Sequence, residues 1–161
     1  MQIDMLKRNF PPPGGEESVC VSTTTDEIYE KKCEVTQKIK FMPYRGAGYS
    51  TFYQRYWVGR NNKTIQTTPF TTLPHAKYEL LASGSNCAVV SVTFIGDSAD
   101  TTTSHSDGAK GTQCVLWVMH KDVRKPDECC KKYFETECTT GTPEEVYSPD
   151  ECDTGSRIVS V

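Results

Sequence analysis

The chain has 161 residues, a net charge of −3 and a sequence pI near 5.6. That length fits one domain able to bury a core of its own. The acidic balance excludes the basic footprint of a nucleic-acid binder, and no apolar run approaches the roughly eighteen residues that cross a bilayer.

In chain order, Met1-Gln-Ile-Asp-Met-Leu-Lys-Arg8 lacks the apolar centre of a signal peptide, so a secreted form would already have lost its signal. Val35, Gln37, Ile39 and Phe41 alternate with Thr36, Lys38 and Lys40, the period-two pattern of a strand with one apolar-leaning face. Tyr49–Val58 is a second, aromatic strand. Lys63–Thr68 is a third, ended by Pro69. It overlaps Asn62-Lys63-Thr64, a glycosylation sequon, which marks Asn62 as a candidate acceptor. Lys77–Ala82 and Asn86–Ile95 form a predicted hairpin turning at Ser83-Gly84-Ser85, where glycine permits positive φ. Gly96–Gly111 reads as a long polar exposed loop, and Thr112–His120 as the last strong strand. Turns recurring every ten or so residues fit an all-β antiparallel sandwich or barrel.

One helix follows. Pro126-Asp127-Glu128 opens it, with proline and acids where the first turn favours them. Cys130, Phe134 and Cys138 then fall on one stripe, away from most of Lys131, Lys132, Glu135 and Glu137. Adjacent helical residues point about 100° apart, so Cys129 and Cys130 reach different partners rather than each other.

Eight cysteines are present. Their even count, without Cys-x-x-Cys or His-x-x-x-His knuckles, indicates a disulfide framework and an oxidising, extracellular compartment rather than a metal site. Roughly a hundred pairings are possible for eight cysteines, so spacing alone leaves the connectivity open.

Certain motifs carry a resemblance. Asn86-Cys87-Ala88-Val89, Cys114-Val-Leu-Trp-Val118, Cys129-Cys130-Lys-Lys-Tyr-Phe134 and Tyr147–Cys152, in this order, resemble the salivary lipocalins of blood-feeding ticks. Met5-Leu-Lys-Arg8 looks like that family's first strand and Cys20-Val-Ser its next landmark, whereas 40–72 contributes only strand-like texture. The resemblance implies a single lipocalin domain over 1–161: an eight-stranded antiparallel barrel, first strand within 1–10, one helix over 126–138 packed outside, and a C-terminal tail over 139–161. It implies pairing of Cys20 with Cys152, of Cys87 with Cys129 or Cys130, and of Cys114 with Cys138. Cys33 is left for the other member of the vicinal pair. Such relatives carry an N-terminal helix with a tryptophan before the first strand, whereas this chain begins at the strand. One barrel mouth is therefore expected to be more open.

If the helix lies outside, Cys87 and Cys114 face outward to bond it. Their neighbours at odd offsets then face inward. Asn86, Ala88, Val90, Val92 and Phe94 would line the interior from one strand, and Val115, Trp117 and Met119 from the next. Core filling and ligand contact give the same pattern in a barrel of this size. The resembled family's amine binders place acids where Ala88 and Val115 stand here, and a buried ammonium needs a carboxylate. Glu79 is a further carboxylate whose facing the sequence leaves open. For a lipid mediator with a carboxylate head, Arg55 between Tyr53 and Trp57 is a candidate anchor. In the alternative register Phe52, Tyr56 and Val58 point inward and Arg55 lies on the surface. His75 and Lys77 are further cation candidates. The candidate ligand-binding set is thus Ile39, Phe41, Tyr53, Arg55, Trp57, Ala88, Val90, Val115 and Trp117.

The chain has no Gly-x-Ser-x-Gly, His-Glu-x-x-His or phosphate-binding glycine loop, and the consecutive residues Ser104-His105-Ser106-Asp107 cannot form a triad. The expectation is a monomeric, secreted salivary carrier, not an enzyme, with no cofactor, metal, nucleic acid or membrane partner. It would sequester a hydrophobic host mediator (an eicosanoid such as a leukotriene, a fatty acid or a sterol) to suppress inflammation and haemostasis at the feeding site. The alternatives are a histamine or serotonin scavenger, and an immune modulator that binds a host protein of complement or of dendritic cells.

Overall fold

The computed structural model describes residues 1–12, 17–68, 75–94 and 112–153, so the predicted loop Gly96–Gly111 lies outside the described residues. Within them, β1 (Gln2–Arg8), β2 (Val19–Tyr29), β3 (Glu34–Met42), β4 (Ser50–Val58), β5 (Thr64–Thr67), β6 (Ala76–Ser83), β7 (Cys87–Phe94) and β8 (Cys114–Met119) pair antiparallel with their sequence neighbours. Strand β8 pairs with β1, which also pairs with β2. The eight strands therefore close into a barrel with no free edge in the ring. The landmark at Cys20 is part of an eleven-residue strand, built on the β-branched run Val19-Cys-Val-Ser-Thr-Thr-Thr25.

The helix α1 (Glu128–Glu137) lies outside this barrel. Its buried stripe is Cys130, Phe134 and Cys138, as the periodicity predicts, and it packs on the outward side chains Val89, Cys114, Leu116 and Val118. Two bridges fix it there, Cys87–Cys130 and Cys114–Cys138, with Cα separations of 6.3 and 5.9 Å. The Asp127 carboxylate accepts hydrogen bonds from the Ser85 backbone N–H (2.8 Å) and hydroxyl (2.9 Å), tying the helix start to the β6–β7 turn. Gly84 in that turn has an ordinary φ, contrary to the predicted reason for a glycine there. Close approach demands it instead, because a Cβ would stand 2.7 Å from Asp127 Oδ2 and 2.9 Å from Cys129 Sγ.

The tail completes the wall. Beyond Asp4 the first two strands diverge, and β9 (Glu144–Glu145) pairs with β1 at Lys7 and Arg8. Val146 N–H then donates to Leu6 O (2.9 Å), and Cys20 N–H donates to Val146 O (2.8 Å). The tail is thus a wedge between β1 and β2, and the Cys20–Cys152 bridge holds it. Val19, Cys20, Met42, Val123, Tyr147 and Cys152 form a buried cluster beneath it.

Cys33 and Cys129, left over as the fourth pair, are exposed free thiols. Cys33 sits at the β2–β3 turn in a left-handed conformation, whereas Cys129 sits on the helix beside Ser83 and Gly84. One lies in a turn and the other on the helix, and no strand pairing brings that turn to the helix.

Candidate functional site: the barrel interior

Residues directly opposite each other in an antiparallel ladder share a face. The outward cysteines Cys87 and Cys114 therefore orient every strand in turn. Ala88 stands opposite Trp117, and Val90 opposite Val115, so all four face inward with Val92 and Phe94, as the parity argument requires. Leu80, Tyr78 and Ala76 follow on β6. Ile65 lies opposite Tyr78, and Thr67 opposite Tyr56. On the far wall Val35, Gln37 and Ile39 stand opposite Tyr56, Gln54 and Phe52, with Phe41 beyond them.

This register corrects part of the expected set. Tyr53, Arg55 and Trp57 stand opposite Lys38, Thr36 and Glu34 and face solvent. Tyr53 and Trp57 are 59% and 42% exposed, against 6% for Tyr56. Both faces of β4 are rich in aromatic residues, so its own alternation does not select one; pairing with β3 and β5 does. Arg55 spends its charge outside, 4.7 Å over the Tyr29 ring and 3.5 Å from Glu34. Lys77 and Glu79 also lie on the outward face of β6, and His75 precedes that strand. Ile39, Phe41, Ala88, Val90, Val115 and Trp117 are brought together inside.

The interior is unevenly filled. Ala76, Val92 and Val115 form a small buried cluster with Met5, Phe10, Tyr78, Phe94 and Trp117 packed against it. Ile39, Phe41, Phe52, Leu80, Ala88 and Val90 point inward yet keep part of their surface accessible. Side chains in a close-packed interior would be shielded completely. The larger buried clusters lie outside the barrel, under the helix and the tail, whereas these inward side chains stay partly accessible.

Away from the end nearest β9, the polar groups inside are neutral. Thr23 Oγ1 donates to Gln37 Oε1 (3.0 Å), and Gln37 Nε2 donates to Thr25 Oγ1 (2.9 Å). Gln54 Nε2 donates to the Arg55 carbonyl (2.7 Å). The Tyr56 and Tyr78 rings meet edge-to-face at 6.0 Å, and neither hydroxyl has a hydrogen-bond partner among the described residues. Burial pushes both phenols well above the usual tyrosine range, so they remain protonated donors. None of these six side chains, Thr23, Thr25, Gln37, Gln54, Tyr56 and Tyr78, was in the expected ligand-binding set. Gln37 shares the predicted face of Ile39 and Phe41, Tyr56 belongs to the alternative register of β4, and Tyr78 falls two residues from Leu80. Only Thr23 and Thr25 lay in a segment that the periodicity did not mark.

Among the described residues, one charged pair sits on the inward register, at the end nearest β9. Arg8 is 3% exposed, and its Nε donates to Glu144 Oε1 at 2.6 Å. Its remaining nitrogens donate to the carbonyls of Ser18 and Glu17. Each of the three guanidinium nitrogens is thus engaged by the chain itself. Away from that pair, the inward side chains are apolar with neutral hydrogen-bonding groups among them.

The pattern of the tick histamine-binding protein family matches residues 2–154. No curated protein matches the chain. Among solved structures it is similar to japanin from Rhipicephalus appendiculatus bound to cholesterol, with a TM-score of 0.57, 14% identity and 90% of each chain covered. That likeness is one of fold: a closed antiparallel barrel with a helix outside. The disulfide-stapled barrel and the match over nearly its whole length place the chain in the tick histamine-binding protein family, as a tick salivary lipocalin.

Proposed function

We propose that the protein is a secreted salivary carrier that sequesters a small, uncharged, hydrophobic host lipid bearing hydroxyl groups, of the sterol class, and so dampens inflammation at the feeding site. The observation that carries this reading is an apolar inward face with no unpaired charge among the described residues: Ala88 and Val115 face in where the resembled family's amine binders carry acids, and Glu79 faces out. An ammonium buried there without a carboxylate would cost several kcal/mol. A leukotriene or fatty-acid carboxylate fares no better, because Arg55 is outside and Arg8 is already paired. A sterol hydroxyl asks only for a neutral partner, which the Tyr56 and Tyr78 hydroxyls, without a partner among the described residues, supply. The printed cholesterol of japanin is in keeping with this ligand class.

Native mass spectrometry of protein made in lipid-depleted medium tests the reading, with cholesterol, a leukotriene and histamine offered in parallel. Saturable cholesterol uptake is expected, abolished by Ala88→Arg, which places a guanidinium in the lumen. Tight histamine binding without sterol uptake would reverse the assignment.

A further inference from the structure

The exposed β4–β5 turn presents the sequon Asn62-Lys63-Thr64 in a defined geometry. Gly59 N–H donates to Thr64 O (2.8 Å), Asn62 N–H to Gly59 O (3.0 Å), and Lys63 N–H to Asn61 Oδ1 (2.9 Å). Asn62 takes a left-handed φ of 59°, a conformation asparagine tolerates. Its residue is exposed, and its carboxamide has no partner among the described residues. Thr64 stands opposite Glu79 on the outward face, its hydroxyl lying over Gly59, where a Cβ would be only 2.0 Å away.

Trp57 is on the same outward face, paired with Gln66, about 7 Å or two strand rises from the turn. It is 42% exposed and makes no ring contact among the described residues. A large indole left open beside a free acceptor amide needs a cover with both polar and apolar faces. The three disulfides show that the chain folds along an oxidising route, where sugar transfer to sequons takes place.

We propose that Asn62 carries an N-linked glycan whose first sugars lie on Trp57. In the transfer, the Asn62 amide nitrogen attacks the anomeric carbon of a lipid-linked oligosaccharide. A C–N bond forms as the C–O bond to the lipid pyrophosphate breaks, and the amide proton leaves with that pyrophosphate; nothing is oxidised or reduced. The site lies outside the barrel and is independent of what the lumen holds.

The test is expression in a eukaryotic secretory host, followed by intact mass measurement and radical footprinting of tryptophan oxidation. The wild-type mass should exceed that of the bare chain and collapse on treatment with peptide N-glycosidase. Asn62→Gly, which suits the left-handed backbone, should abolish the excess, and Thr64→Ser should keep it. Trp57 oxidation should rise several-fold once the sugar is removed. Enzymatic removal from wild-type protein gives that comparison even if the glycine variant is not secreted. Secretion at the bare chain mass overturns the proposal, and so does a glycan whose removal leaves Trp57 oxidation unchanged.

Discussion

Asp4 is wholly shielded from solvent, and its carboxylate rests on two side chains. His120 Nδ1 lies 2.7 Å from Oδ2, and Gln2 Nε2 donates to Oδ1 at 2.9 Å. His120 itself is half in water, so His120→Ala would look like a mild surface change. It should instead cost about 1–3 kcal/mol in urea unfolding, because a buried acceptor loses its partner. A loss no larger than about 0.5 kcal/mol, as for an ordinary surface site, would mean that water replaces the ring. The parity of β8 put His120 outside, but its partner 116 residues away could not be read from any spacing. The cysteines give a sharper contrast. With Cys33 and Cys129 free and exposed, two thiols per native chain should react with a maleimide, and Cys33→Ser should remove one of them. No reactive thiol at all would mean that the two are joined, as first expected.

The tail is the element whose stability depends most visibly on pH. Tyr49 donates to the Cys152 carbonyl (2.9 Å) and Tyr147 to Asp153 Oδ1 (2.9 Å). Burial, with the nearby charges of Asp153 and Asp4, pushes the Tyr49 phenol up to about 12. Burial, Asp4 and Asp153 drive Tyr147 in the same direction. In the unfolded chain both ionise near the usual value of about 10, whereas the folded chain holds its protons. The stabilisation is therefore complete below about pH 10 and declines as pH rises from there toward 12. The urea midpoint should fall across that interval, and the Tyr49→Phe/Tyr147→Phe variant should fall less. The helix behaves in the opposite sense. Bonds from the Ser85 backbone and hydroxyl hold the Asp127 carboxyl below its ordinary range, so the tie is present above that range and lost as pH drops through it. At this scale the helix was legible because its period and its cysteines agree. The wedge β9 was not, since two glutamates carry no period.

For the whole molecule, closure depends on a covalent link far from the interior. The Cys20–Cys152 bridge spans 132 residues and anchors the segment that fills the gap between β1 and β2. Replacing both cysteines with serine should cost about 2–5 kcal/mol. The loss should appear first as faster amide exchange in β1 and at the start of β2, ahead of β6–β8, which keep their own two bridges. Uniform acceleration around the ring would show that the wedge contributes nothing local. The sequence by itself determined the β-rich class and the C-terminal helix; its resemblance to tick salivary lipocalins implied eight strands and a helix outside them, and with that the facing of β7 and β8. For those two strands a cysteine bonded to the helix fixes one residue, and the period of two fixes the rest. Only the tertiary structure decided which face of β4 looks inward. That strand carries no covalent tether and has aromatic residues on both faces, so its orientation is settled by hydrogen bonding to β3 and β5, with Arg55 left outside and Tyr56 placed within.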